Sequence, residues 1–485
     1  MLLKSFTGAG LLIALNAVAF AQSPLMPSPV MPVDVNNGGN ATQNDWIAFG
    51  WRSFVAANWP SVVPPASGIS GEPNVAIRIG ASAPNRALVP TVWLTWRTAS
   101  STFLPMAVNP GVWNNSPQLL PAGCKALQPT TPVAPGFAPM MLDMTSKLAN
   151  NKATPIDDVN QASGNPLIDQ FGWYVTYDIR MAQAEYTYIQ KYGYYDALAQ
   201  QKAFVAPISF VGFPRTGTES MFDPPLPAWS QFGATEVKAS WRVLDPAKDD
   251  LGRYYTQTGY FVQPDGKTCE GPALFGLIGF HVLRLTPSSP STWFWATFEQ
   301  DDNVTVPPNS RLKPTLAAPN TPNGACTANY NVPPPVANGN ISWNDHNPPV
   351  NVCQVTDIPS DIKAANTAWR GALAGTVWAN YQMVGVLNPS VPNGPRYPIP
   401  VSNSPANTDT LANTTLETFV QAPGQSCMLC HGFGFPQYAP TNSGTYQVFS
   451  FLMTNADSSN PTLAPRLGLP RQVLEIMRRS AMPKR

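Results

Sequence analysis

The chain has 485 residues, 44% of them hydrophobic and 12% charged, with 54 Pro, 14 Trp, 15 Tyr and 22 Phe. That length allows two or three domains, or one large domain with an appendage, and so aromatic a chain with so little charge is not intrinsically disordered. Lys and Arg number 29 against 28 Asp and Glu, and this neutrality argues against a nucleic-acid partner, whose phosphates demand a basic surface.

In chain order, residues 1–21 read as an export signal: Lys4, the apolar "AGLLIALNAVAF", then "AFA" before Gln22. The apolar stretch is shorter than the roughly 20 residues a membrane span needs, so no transmembrane segment is expected after signal cleavage. Residues 22–44, rich in Pro, Asn and Gly, read as a flexible tether. "DWIAFGWRSFVAANW" at 45–59 predicts a helix capped by Asn44 or Asp45, with Ile47, Trp51, Phe54, Val55 and Asn58 on one side. "VPTVWLTWRTA" at 89–99 is rich in strand formers. "RMAQAEYTYIQKY" at 180–192 suits a helix ended by Gly193.

"EVKASWRVL" at 236–244 alternates. Val237, Ala239, Trp241 and Val243 face one way and Glu236, Lys238, Ser240 and Arg242 the other, which predicts a half-exposed strand. "GRYYTQTGYFVQ" at 252–263 has similar character. "ALFGLIGFHVLRL" at 273–285 is apolar on both faces, as in a strand covered on both sides, and "TWFWATFEQ" at 292–300 pairs with it through a turn in "PSSPS". The acids of "FEQDDN", Glu299, Asp301 and Asp302, read as a solvated strand end, with a catalytic acid pair as the alternative. A helix is expected at 361–385 with Ser360 as cap, then an irregular linker at 387–407. Thr414 followed by Glu417 forms a capping-box pattern, so a short helix is expected from about Thr415 to before Pro423. A last helix is expected from about Pro470 to Ala481.

Six cysteines are present. Cys124, Cys269, Cys326 and Cys353 allow two disulfides in an oxidising compartment, with three possible pairings. Cys326–Cys353 is favoured because both lie in one Pro/Asn-rich excursion, which leaves Cys124 with Cys269. The other two open Cys427-Met428-Leu429-Cys430-His431, a C-x-x-C-H motif. Thiols about one helical turn apart can reach the two vinyl groups on one edge of a haem, and the adjacent His is then delivered to the iron. A thioredoxin-like redox pair, half of a zinc site, or a disulfide beside a chance His are the other readings. The first lacks a surrounding βαβ pattern, and the second lacks a further Cys/His pair, since His281 and His346 stand alone.

At this motif the chain resembles the c-type cytochromes. The resemblance covers about the last 80 residues and implies one covalent haem c, with Cys427 and Cys430 bonded to the ring and His431 as proximal iron ligand. It implies haem ligation outside the cytoplasm and a periplasmic redox partner protein. A second likeness is to a group of large bacterial monohaem proteins. It runs through "FGWRSFVAANWP" and "NTTLETFVQ…SCMLCH" and bears on architecture alone. Family cytochromes often use a downstream Met as sixth ligand. Met453 in "FSFLMTNAD" fits that order, with Met477 and Met482 as alternatives. His281, on an apolar strand, is the other candidate, and each of these residues can equally be a core side chain. Arg466, Arg471, Arg478, Arg479, Lys484 and Arg485 make the C-terminus basic. They suit haem propionates, an acidic partner, or the helix dipole.

The expected fold is α+β: a large, mainly β, Trp-rich domain with flanking helices over 45–405, and a small, mostly helical haem segment over 406–485. The expected function is single-electron transfer by an exported monohaem protein. The alternative is a haem enzyme or small-ligand sensor with an open sixth iron position.

Overall fold

In the computed structural model, "QNDWIAFGWRSFVAA" forms helix α1, Gln43–Ala57. Its cap is Thr42, two or three residues earlier than expected. The Thr42 hydroxyl accepts the Asp45 N–H, and the Asp45 carboxylate accepts the Thr42 N–H, so two orphan donors are satisfied reciprocally. The structure describes residues 25–62, 65–80, 90–114, 140–142, 167–205, 212–262, 269–306, 312–318, 349–355, 357–388, 411–419, 421, 427, 431 and 450–460. The export signal, Cys124, Cys326, Cys430, His346, Met477, Met482, the linker core, the last helix and the basic C-terminus lie outside the described residues.

After α1 come β1 (Arg97–Thr98), α2 (Ala99–Thr102), β2 (Met140–Leu142), β3 (Thr176–Met181), α3 (Gln183–Lys191) and α4 (Ala197–Val205). They are followed by β4 (Thr235–Val243), β5 (Thr256–Val262), β6 (Cys269–Thr286), β7 (Ser289–Gln300), α5 (Ser360–Ala372) and β8 (Tyr381–Leu387). Helices and strands alternate without a regular βαβ repeat, and the class is α+β, as expected.

The eight strands form one sheet with β6 as its spine. On one edge of β6 lie β4, then β3, then β1, all antiparallel. On the other edge β5 pairs the first half of β6 and β7 the second half. β2 extends β5 in parallel, and β8 extends β7. Eighteen residues of "CEGPALFGLIGFHVLRLT" can serve both partners because the run is long and, over Phe275–Leu285, buried on both faces.

The first face of the sheet carries Val237, Val282, Ala296 and Phe298, and α1 packs on it. Phe54 stacks on Phe298 at 4.2 Å and meets Phe280 edge-on at 5.6 Å. Trp51 meets Phe298 at 5.0 Å and stacks on Trp369 of α5 at 5.8 Å. Each such ring, fully buried, stabilises by roughly 1.5–3 kcal/mol over its exposed state. Residues 25–44, read as a tether, include docked positions: Met31 and Val35 are buried. There the Pro32 carbonyl accepts from Arg284 at 2.6 Å and Asp34 bonds Ser288 beside the β6–β7 turn.

Several expectations change. The 89–99 stretch is a 3-10 turn, Val92–Thr95, followed by the two-residue β1. The 180–192 helix starts at Gln183, because "TYDIRM" before it is claimed by the sheet as β3; Gly193 ends it at φ +69 as the sequence suggests. The 361–385 helix stops at Ala372, since Gly375 at φ +80 turns the chain and "YQMVGVL" pairs with β7. β4 is not half-exposed: every residue in it is buried. The "FEQDDN" acids are not a solvated end. Asp302 takes a two-pronged bond from Arg253 at 2.6 and 2.7 Å, and Asp301 pairs with Arg370. Cys353 is disulfide-bonded.

Candidate functional site

The polar side of β4 is buried because the C-terminal part of the chain lies across it. Direct cross-strand partners align two rows on this second face. One row is Ile179, Lys238, His281, Thr297 and Gly385, and the next is Met181, Glu236, Leu283, Trp295 and Leu387.

Residues 411–417 run over the first row and tie to strand after strand. Leu411 fills the space where a Cβ on Gly385 would stand. Asn413 Nδ2 donates to Thr297 Oγ1 at 2.8 Å and to the Phe298 carbonyl at 2.9 Å. The Thr414 N–H and hydroxyl both donate to Glu299, each at 2.6 Å. Thr415 shares a 2.6 Å hydroxyl bond with Ser240, and its carbonyl accepts from Tyr177. In place of the expected helix from Thr415, the described residues form turns centred on Asn413. Its side chain accepts the Thr415 N–H while its own N–H donates to Glu417. Asn413 thus takes the capping role expected of Thr414.

Of the C-x-x-C-H residues that are described, His431 sits over the second row, against Trp295. Cys427 and His431 are each in helical conformation. Cys427 is buried in the main apolar cluster. The half-buried imidazole of His431 is held edge-on between two rings: Trp295 of β7 at 5.0 Å and 66°, and Phe451 at 4.9 Å and 68°. Trp295 and Phe451 are the site residues that the sequence alone does not single out. Trp295 stands among four aromatic residues in "TWFWATF", and only its register shows which one reaches His431.

The structure places the two tentative distal ligands differently. Met453 lies in a 3-10 turn, Leu452–Asn455, fully buried in the same apolar cluster as Cys427. His281 lies on β6 in the neighbouring row, and its Nε2 donates to the Glu417 carboxylate at 3.0 and 3.1 Å. That is the ring nitrogen a haem-ligating His commonly offers to iron, and here it is engaged.

The residues present fit a haem. Aromatic rings flank the imidazole of His431, and an apolar cluster receives the Cys427 thiol. Burial also marks this face electrically. Glu299 is pushed up to about 7 by loss of water, which outweighs its two Thr414 bonds. Arg284, on the opposite face, is lowered to about 9 by burial over the Phe49 ring. Among the described residues, no helix is long and apolar enough to cross a membrane. Comparison with protein-family models, curated proteins and solved structures finds no match.

Proposed function

We propose that the chain is an exported, periplasmic monohaem c-type protein that passes single electrons to or from a redox partner protein. Cys427 and Cys430 hold the haem covalently, and His431 is the proximal ligand. Bound there, the haem supplies a one-electron Fe(III)/Fe(II) couple. The chain's own residues orient it: Trp295 and Phe451 fix the imidazole plane, and the bonds of 411–417 to the sheet fix the segment that carries it. The large domain acts as the wall of the pocket, with residues 406–485 as the haem segment laid on it. The observation that carries this reading is the C-x-x-C-H spacing combined with the position of His431 between two aromatic edges on the buried second face.

One observation favours a second reading. With His281 Nε2 bonded to Glu417, the sixth position is open unless Met453 or another residue fills it, and an open position suits a haem enzyme or small-ligand sensor. The test is expression with haem-maturation machinery. A pyridine haemochrome spectrum of c type and a mass gain of one haem are expected, both lost in a Cys427→Ala, Cys430→Ala variant. An unmodified mass in the secreted wild-type chain refutes the haem assignment. Rapid carbon monoxide binding to the reduced protein selects the open-site reading. A low-spin spectrum disturbed by Met453→Ala or by His281→Ala identifies that residue as the ligand.

A further inference from the structure

Two glutamates meet in the interior beside the proposed haem. Glu185 is on α3 and Glu236 on β4, both buried, with their carboxyl groups in hydrogen-bond contact. Neither oxygen of Glu185 nor Oε1 of Glu236 has a well-placed donor. Two ionised carboxylates cannot bond each other, whereas a shared proton makes one of them the missing donor. The Ser450 hydroxyl donates to Glu236, and the Thr235 N–H offers Glu185 weaker help. Loss of water and mutual repulsion raise Glu185 well above the ordinary carboxylate range, and burial raises Glu236 to about 7.

The pair is tied to His431 by two routes. Glu236 stands opposite Leu283, which stands opposite Trp295, so it lies two strand spacings, about 10 Å, from the residue whose ring meets His431. Ser450, the donor to Glu236, directly precedes Phe451, the other ring against His431. We propose that the Glu185–Glu236 pair takes up one proton when the iron at His431 is reduced and releases it on oxidation. This rests on the haem reading above. The electron comes from an external one-electron donor and ends on the iron. The proton comes from bulk water and ends on a carboxylate oxygen of the pair. Reduction lowers the positive charge on the iron by one, and in a water-poor interior that change favours the neutral acid.

Among the described residues, the other titratable groups around the pair are already engaged. Asp178 and Arg180 of β3 bond each other on the opposite face. Lys238 of β4 lies over the Tyr177 ring, and His281 of β6 bonds Glu417. On α3, Tyr186 donates to the Gly111 carbonyl and lies under the Arg97 guanidinium, Tyr188 packs with Tyr194, and Lys191 reaches the Met221 carbonyl. In the loop beside Ala184, Glu219 accepts the Arg215 N–H, and in the 450–460 segment Asp457 accepts the Met106 N–H.

The experiment measures the midpoint potential of the haem-loaded chain against pH, together with a redox-induced infrared difference spectrum. A potential that falls with rising pH from near neutrality is expected, with a carboxylic-acid C=O band appearing on reduction. Glu236→Gln should flatten the profile and remove the band. Ser450→Ala removes a donor that favours ionised Glu236, so it should move the sloping segment to higher pH, and it serves if the Gln variant does not fold. A flat profile in the wild-type chain, or a slope and band unchanged in both variants, overturns the proposal while the haem reading stands. A chain without covalent haem, seen by haem staining before any potential is measured, overturns both.

Discussion

Glu299 is a buried carboxyl that still receives two strong bonds, and its proton affinity has a consequence for stability. Its ordinary value of 4.5 is raised to about 7 in the fold. The folded state therefore holds the proton more tightly than the unfolded chain. Stability from this group is fully present below about 4.5 and is lost as pH rises through about 7. The difference corresponds to roughly 3 kcal/mol at about 1.4 kcal/mol per pH unit. Glu299→Gln removes the titration, so the decline in stability between pH 5 and 7 should become shallower by an amount of that order. Denaturant midpoints of wild type and variant across that range measure it. An equal slope in both proteins would place the proton elsewhere. The same side chain, as acceptor of Thr414, links this titration to the hold of residues 411–417 on the sheet.

At the scale of elements, the second face of the sheet and residues 411–417 fit only because glycine is present where they come closest. A Cβ on Gly279 would stand on Thr415 Oγ1 and 2.5 Å from Ser240 Oγ. Both neighbours are short side chains bonded to each other, so neither can swing away cheaply. Gly279→Ala should lose roughly 1–3 kcal/mol by overpacking and lower the affinity of the segment for the sheet, read as faster proteolysis beyond residue 410 before the large domain is cut. Unchanged protease resistance and stability would mean that the contact is not closed in solution. This crossing was hidden from the sequence for a physical reason. The alternation of β4 was legible, and so were β6, β7 and their hairpin, because period and branched residues are local signals. The burial of the polar side of β4 was not legible, because it depends on a cover that arrives about 170 residues later, at Asn413 to Glu417. Helix ends at Ala372 and Gln183 were misread for a related reason: their neighbours "YQMVGVL" and "TYDIRM" are claimed by partner strands far away in sequence. The C-x-x-C-H motif was legible as chemistry, but its aromatic flanks, Trp295 and Phe451, depend on register and docking.

At the scale of the whole molecule, the described C-terminal residues are anchored at several places. Residues 411–417 bond to the sheet, and residues 457–459 bond to Met106 and Asp196; neither set needs anything beyond the protein. Another is the seat of Cys427 and His431 against Trp295, Phe451 and the apolar cluster, which the proposed haem would complete. Among the described residues, α1 and α5 pack on the first face of the sheet, whereas the rings that meet His431 lie on the second side. This arrangement predicts how loss of the proposed haem would be felt. In a Cys427→Ala, Cys430→Ala variant, the aromatic near-ultraviolet circular dichroism from Trp46, Trp51 and Trp369 should be kept, since these rings report on the far side of the sheet. Amide hydrogen exchange should rise around residues 427–456 and stay slow in β4, β6 and β7, which open only with the core. The thermal midpoint should fall by only about 1–2 °C for each kcal/mol lost, because the unfolding entropy of so large a domain is high. Collapse of the near-ultraviolet signal together with fast exchange in β6 would mean that the haem nucleates the large domain, and the division into wall and segment would then fail.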